Sequence, residues 1–182
     1  MTAGNEKAGL INSRLAEAAQ IRGWAMGVGS QRKELNSEAS NEWKEIRKKS
    51  PKAVLLGNLG IAQIISSTTD QVAKLVDNLQ ATALFVHLNP LQEALQKEGT
   101  PNFKGGLQAI ERVVKDLKVP VIVKEVGCGI SQSTVERLNN AGVFAVDVSG
   151  LGGTHWGRIE GLRSEPGDLY YEASQTFKDW GL

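Results

Sequence analysis

The stretch VPVIVKEVGCGISQSTVERLNNAGVFAVDV, running from Val119 to Val148, decides the fold class. Val119 to Glu125 and Val143 to Val148 are apolar almost throughout and rich in β-branched residues, as strands covered on both faces are. Between them Ser133 and Glu136 stand in capping-box spacing, Val135 and Leu138 supply an apolar face, and Gly142 is placed to end a helix just before the second run. A strand, a helix and a strand in so short a span form a βαβ unit, and such units build parallel sheets.

The same alternation extends toward the N-terminus. Ala25 to Gly29, Ala53 to Asn58 and Ala83 to Leu88 read as three further strands. Val72, Leu75, Val76 and Leu79 recur at i, i+3, i+4 and i+7, and Leu107, Ile110, Val114 and Leu117 make a second stripe. An earlier helix runs from about Lys7 to Arg22 with Ile11, Leu15 and Ala18 on one side. The charged segment from Leu35 to Pro51, whose large apolar residues are Trp43 and Ile46, reads as a surface helix with a partner-facing edge; Lys48, Lys49 and Lys52 read as its solvated end. The five strands begin roughly 24 to 36 residues apart, the spacing of a barrel or a doubly wound sheet.

Composition narrows the function classes. The 182 residues carry 21 Lys plus Arg against 20 Asp plus Glu, so a formal charge of +1 gives no electrostatic case for a nucleic-acid binder. One cysteine cannot make an internal disulfide, which points to a reducing, cytoplasmic compartment. Met1 to Gln20 mixes charged and small residues without a signal-like apolar run, and no later run approaches the ~18 residues of a membrane span.

In parallel architectures ligands meet the carboxyl ends of the strands. Here those ends read Gly29-Ser30-Gln31-Arg32, Gly57-Asn58-Leu59-Gly60, His87-Leu88-Asn89 continuing to Gln92-Glu93, Lys124-Glu125-Val126-Gly127 and Asp147-Val148-Ser149-Gly150. Each strand delivers a polar group to one rim, a pattern that favours a many-stranded active site over a dinucleotide crevice. No GxGxxG follows the first strand. Gly150, Gly152, Gly153 and Thr154 form a glycine-rich turn able to bring backbone amides to a phosphate or flavin.

Met1-Thr2-Ala3-Gly4, MGVGSQR from Met26 to Arg32, Asn58 to Gly60, HLNPLQEA from His87 to Ala94, VIVKEVGCGIS from Val121 to Ser131 and GGTHW from Gly152 to Trp156 together resemble type 2 isopentenyl diphosphate isomerase. The resemblance implies a single partial (β/α)8 TIM barrel over 1–182, with about five to six of the eight βα units present. Family segments flanking this region have no counterpart here, which implies a fragment or a truncated product. It further implies interconversion of isopentenyl and dimethylallyl diphosphate with FMN, Mg²⁺ and NADPH as the flavin's reductant, in a tetramer or octamer. Reduced flavin would then act as acid and base.

By the same resemblance Met1, Thr2, Ser30, Asn58, Lys124, Ser149 and Thr154 line the flavin, with Lys124 facing its electron-rich edge. Ser30, Gln31, Arg32, His87 and Asn89 bind the diphosphate, Gln92 faces the alkene as the catalytic residue, and Glu93 holds magnesium. Cys128 reads as a packing residue without a partner histidine, His155 as a loop or interface residue, and Asp147 as a buttress for the Lys124 side of the rim. Two other readings stand beside this one: an inactive remnant that serves as an interaction partner, and another FMN-dependent barrel oxidoreductase. The second is weakened because the HLNPLQE run offers an amide and a metal carboxylate, with no residue evident as the base for substrate oxidation.

Overall fold

Helix α1 (Ala8–Arg22) enters the molecule in a computed structural model that describes residues 6–35, 41–152 and 154–182. It ends at Gly23, whose φ of 67° is the left-handed conformation that lets its amide return to Ala19 and Gln20. Strand β1 (Ala25–Gly27) follows, then a single 3-10 turn over Arg32–Leu35 and α2 (Asn41–Lys49). Next come β2 (Val54–Gly60), α3 (Ile61–Ser66), α4 (Thr69–Leu79) and β3 (Ala83–His87). The second half holds α5 (Pro90–Leu95), α6 (Gly106–Asp116), β4 (Val121–Lys124), α7 (Gln132–Asn140), β5 (Ala145–Asp147), α8 (Trp156–Gly161) and α9 (Leu169–Thr176). None of the described helices is long and apolar enough to cross a membrane.

All five expected strands form and all pair in parallel, in the order β1-β2-β3-β4-β5. The expected TIM barrel does not: the sheet is an open five-stranded half-barrel. β1 pairs with β2 alone and β5 with β4 alone among the described residues, so the two end strands do not meet. These end strands are three residues long and alternate between exposed and half-buried positions, whereas β2 and β3 are largely covered. Double coverage therefore holds at the centre of the sheet and fails at its edges, where Phe144 is 72% exposed and Val148 52%.

The core gathers Leu55, Leu59, Leu84, Val86 and Val123 from the sheet with Ile64, Val72, Leu79 and Val113 from helices laid against it. Helix α4 buries the expected Val72, Leu75, Val76 and Leu79. A reciprocal cap starts it: Gln71 N–H donates to Thr68 Oγ1 at 3.3 Å and Thr68 N–H to Gln71 Oε1 at 2.9 Å. In α6 the buried line is Ala109, Ile110 and Val113, with Leu107, Val114 and Leu117 packed at its margin. The cap of α7 is Ser131, which accepts the Thr134 N–H, so Ser133, the expected cap, lies two residues inside the helix.

Two expectations about faces are corrected. Helix α1 turns Asn12, Ala16 and Ala19 inward and leaves Ile11 and Leu15 partly exposed; small residues there admit α2, and Asn12 Nδ2 donates to Glu42 Oε1 at 2.8 Å. Helix α2 is no partner-facing edge, because Trp43 and Ile46 lie in the core and Trp43 Nε1 donates to Glu34 Oε1 at 3.2 Å. Its buried Arg47 donates to the Ala53 and Gln80 carbonyls at 2.7 and 2.9 Å, and to those of Leu79 and Pro51 at 3.3 and 3.4 Å. One guanidinium thus joins the entrance of β2 to the end of α4.

In urea unfolding, Leu84→Ala is expected to cost about 2–5 kcal/mol as a cavity in the centre of the sheet. Arg47→Ala is expected to cost roughly 2–4 kcal/mol, through buried carbonyls left without donors. Lys48→Ala, on the exposed side of the same helix, should stay within about 0.5 kcal/mol; equal losses for Arg47 and Lys48 would contradict this account of α2.

Candidate functional site

Register assembles the rim. Gly60 of β2 stands beside His87 of β3, His87 beside Lys124 of β4, and Lys124 beside Asp147 of β5, so the last residues of four strands form one row. In front of the first part of this row lies a cavity of about 410 Å³. Its wall includes Ser30 and Arg32 after β1, Asn58 and Gly60 on β2, His87, Asn89, Gln92 and Glu93 on β3 and α5, Lys124 on β4, and Glu160 and Arg163 at α8. A smaller cavity of about 250 Å³ adjoins it, sharing Lys124, Val126 and Trp156 and adding Asp147, Ser149, Gly150 and Thr154.

Buried polar atoms are normally paired. Six side-chain atoms among the described residues are buried without a partner, and three of them belong to residues of the larger cavity: Asn58 Oδ1, His87 Nε2 and Asn89 Oδ1. The other polar atoms of these groups are engaged with the fold. Asn58 Nδ2 donates to the Val28 carbonyl at 3.1 Å, and Asn89 Nδ2 to Glu93 Oε1 at 3.0 Å. Each asparagine is thereby held by its amide nitrogen with the oxygen left for something else.

Charge in the row is tuned by burial. Desolvation, with the Lys124 ammonium beside it, pushes the His87 imidazole down to about 3, so it is neutral at physiological pH. Burial also lowers Lys124 below the ordinary lysine value, and the carboxylates of Asp147 and Glu125 oppose that fall. Asp147 meanwhile accepts the Ser149 hydroxyl and N–H at 2.8 and 3.2 Å.

Helix α5 gives the cavity its longest polar surface. Pro90 at its first turn fixes the entry, and the i, i+3, i+4 spacing sets Asn89, Gln92 and Glu93 on one inward face, all buried. Glu93 Oε2 accepts the Thr100 N–H at 2.7 Å, while Gln92 Nε2 donates to Glu160 Oε1 at 2.9 Å. Glu160, 4% exposed, looks in the sequence like any acid on a short polar helix. The signal available was its position five residues beyond His155, one helical turn and a half past the glycine-rich turn.

The expected residues divide as follows. Ser30, Arg32, Asn58, His87, Asn89, Gln92, Glu93 and Lys124 meet at the larger cavity, whereas Ser149 and Thr154 line the smaller one. Gln31 is not brought to either: it is 1% exposed, its Oε1 accepts the Asn58 N–H at 3.1 Å and its Nε2 donates to Glu34 at 2.7 Å. It is a tie between the ends of β1 and β2. Met1 and Thr2 lie outside the described residues, as does Gly153 of the glycine-rich turn. In that turn Leu151 N–H donates to the Leu182 carbonyl at 2.8 Å.

Cys128 does have a histidine neighbour. His155 Nε2 lies 3.5 Å from its sulfur and 3.1 Å from the Trp180 carbonyl, and His155 Nδ1 accepts the Arg158 N–H at 3.2 Å. With Nδ1 accepting, the ring proton sits on Nε2 and serves the Trp180 carbonyl. Burial and the nearby Glu125 carboxylate push the Cys128 thiol up to about 11, so it stays protonated and no nucleophilic pair exists. Glu125 Oε2 itself accepts the amides of Gly127, Cys128 and Gly129 at 2.8, 2.5 and 3.1 Å and closes that loop around its own carboxylate.

Among the described residues no group of three or more His, Cys, Asp or Glu side chains is arranged to hold a metal ion. Glu93 is a single carboxylate with one neutral donor on each oxygen. This suits a hard cation that keeps water and takes its other oxygens from a bound phosphate.

Known proteins are similar to this sequence. The chain is 59% identical over 183 residues to the isopentenyl-diphosphate delta-isomerase of Bdellovibrio bacteriovorus, covering 100% of this chain and 53% of that protein. The protein of the same name from Legionella pneumophila (strain Paris) is 53% identical, with 100% and 54% covered, and that from Cronobacter sakazakii 48%, with 100% and 53% covered. The chain is similar to isopentenyl-diphosphate delta-isomerases. It spans about half the length of the curated relatives it matches. No family model matches it. The resemblance to a flavin-dependent type 2 family is corrected accordingly: the names of the relatives carry the isomerase without type or flavin, and the similarity shown is to proteins of that name.

The His87 ring resonances are expected to stay constant from pH 8 to pH 5 in NMR titration. Its folded value lies below the ordinary value of about 6.5, so the unfolded chain binds the proton first and His87's contribution to stability is lost as pH falls from about 6.5 toward 3. A ring titrating with a midpoint near 6.5 would refute the buried, neutral assignment.

Proposed function

We propose that this chain carries the substrate-facing residues of an isomerase that converts isopentenyl diphosphate to dimethylallyl diphosphate. The observation that carries the reading is the set of unpartnered buried atoms on Asn58, His87 and Asn89 around one cavity, in a sequence 59% identical to a protein named for that activity. An alkene shift of this kind adds a proton at one carbon and removes one from another, which calls for a desolvated pocket with a fixed anion-binding end.

Arg32 and Ser30, exposed at the mouth, bind the diphosphate, Arg32 through a charge-assisted pair of N–H groups. His87 meets the anion as a neutral partner, which avoids a second buried cation beside Lys124. Glu93 offers its carboxylate to a magnesium ion shared with the diphosphate. Gln92 lines the cavity beside Glu160, to whose carboxylate its amide donates, and is the residue that faces the alkene. The walls of β2, β3 and α5 keep water from the alkene.

A flavin, FMN, is the proposed cofactor. Ser30, Asn58 and Lys124 at the larger cavity, with Ser149 and Thr154 at the smaller, are the residues that would hold it. Asn58 Oδ1 is a buried acceptor without a donor and Lys124 a cation next to both spaces, which suits an anionic ring with N–H edges. When bound, a reduced flavin supplies an acid–base surface beside the alkene.

The test is incubation of the purified chain with isopentenyl diphosphate, reduced FMN and Mg²⁺, with product followed by chromatography. Formation of dimethylallyl diphosphate supports the reading; no product together with no calorimetric binding of the diphosphate defeats it. In an active preparation Gln92→Asn should lower kcat by roughly 10²-fold with flavin affinity unchanged, the scale of a displaced catalytic contact. Glu93→Gln should raise the Mg²⁺ concentration needed for half-maximal rate by roughly tenfold or more while flavin stays bound. Loss of flavin from both variants would sink these roles.

A further inference from the structure

We infer that Arg163 is a positioning residue for this site, holding Glu160 and through it the Gln92 carboxamide; the functional part of the inference rests on the isomerase reading above. Glu160 is buried, and a carboxylate out of water needs a charged partner or it is expelled or protonated. Its two oxygens are divided between two jobs. Oε1 accepts the Gln92 amide at 2.9 Å and Oε2 accepts Arg163 Nη1 at 2.6 Å. The other terminal nitrogen, Arg163 Nη2, donates to Glu98 Oε1 at 3.0 Å, so a half-exposed guanidinium spans from the loop after α5 to the floor of the cavity.

The surrounding packing makes this contact decide an orientation. Helix α8 is seated by close approaches: a Cβ on Gly157 would lie 3.0 Å from Leu91 of α5, and one on Gly161 would fall 1.7 Å from Ser174 Oγ of α9. The backbone of α8 therefore has a fixed distance to α5, and what remains free is the rotation of the Glu160 carboxylate and the Gln92 amide. An amide can turn by half a revolution at little steric cost. Arg163 on Oε2 leaves Oε1 facing Gln92, whose Nε2 turns to it while Gln92 Oε1 accepts Asn89 Nδ2 at a longer 3.4 Å. Arg163 touches neither reacting carbon in this scheme; it acts through Glu160.

The experiment uses the full chain, ¹⁵N-labelled, as wild type, Arg163→Gln, Arg163→Lys and Glu98→Gln. It reads the Gln92 side-chain amide resonances and their exchange with solvent, with melting temperature recorded in parallel. Arg163→Gln should speed Gln92 amide exchange at least about tenfold, as expected when a buried network loses a member. Arg163→Lys, which keeps a cation for Glu160, should retain protection, and Glu98→Gln, which removes only the exposed end, should leave it unchanged. In the isomerase assay Arg163→Gln should lower kcat by roughly ten- to a hundredfold with KM within about twofold, the signature of a misplaced group.

An unchanged Gln92 amide in Arg163→Gln overturns the inference, as does Glu98→Gln matching Arg163→Gln. Should Arg163→Gln fail to fold, Arg163→Lys decides: a protected amide and near-normal kcat support the role, and loss of both overturns it. A loosened Gln92 in Arg163→Gln with no turnover in the wild-type chain would remove the isomerase reading and leave the positioning role in place.

Discussion

The parallel register of four strands is the constraint from which the site follows. Parallel neighbours run the same way, so their carboxyl ends fall on one side of the sheet. The pairing of Gly60, His87, Lys124 and Asp147 sets their last residues level. That row forces an ammonium and an imidazole to be neighbours where water is scarce. Both are weakened as cations for the same reason, and His87 is the one that gives up its proton because an imidazole starts from an ordinary value of about 6.5, well below that of lysine. A slip of one residue in β3 would turn His87 to the other face and dismantle the row.

Buried charged side chains are engaged by the fold, whereas the asparagines of the candidate site each keep an oxygen free. Arg47 is spent on carbonyls, Glu125 on three amides, and Glu160 on a guanidinium and an amide. Each of these groups fixes one loop or helix end against the sheet, which is how a small core can carry so many charges. At the cavity the pattern changes, because nitrogen atoms of the asparagines are satisfied and oxygen atoms are left over. The fold holds those side chains rigid and presents acceptors inward. That is a costly arrangement for a core and an ordinary one for a binding surface.

Much of this was legible in the sequence, and the failures have physical causes. Apolar runs located every strand of the sheet, since a central parallel strand must be apolar on both faces, and the α4 stripe was right residue for residue. Asn89, Gln92 and Glu93, expected at the rim from the HLNPLQE run, meet at the larger cavity because the start of α5 sets them on one face. Barrel closure was misread because strand spacing reports βα units and says nothing of whether the ends of a sheet meet. Trp43 was misplaced because the charges around it mark a solvated face but not which residues oppose that face, and α1 was misrotated because its inward side is made of Ala16 and Ala19, which carry little hydropathy signal. Gln31 is kept from the cavity for a simpler reason: next to Ser30 and Arg32 it turns to Asn58 N–H and Glu34. Glu160 and Arg163 could not be paired with Gln92 from spacing alone, 68 and 71 positions apart, because only the packing of α8 on α5 brings them together.

The distribution of burial separates the two sides of the molecule. The wall made by β2, β3, α5 and α8 is closed by contacts within the chain, so the geometry of Asn58, His87, Gln92 and Glu160 is set by covered backbone and satisfied neighbours. The wall at β5 is different: Phe144, Val148 and Leu151 stand exposed beside the smaller cavity's Asp147, Ser149 and Gly150, and Ser149 takes a φ of 37° that a non-glycine residue adopts at some cost. A ligand held only at the first wall would be held by a preformed surface. One that also needed Ser149 and Thr154 would depend on a strand with a single partner. Binding of a small ligand through Asn58, His87 and Asn89 is therefore the property of this chain least dependent on its open edges, and contacts through the smaller cavity the most dependent.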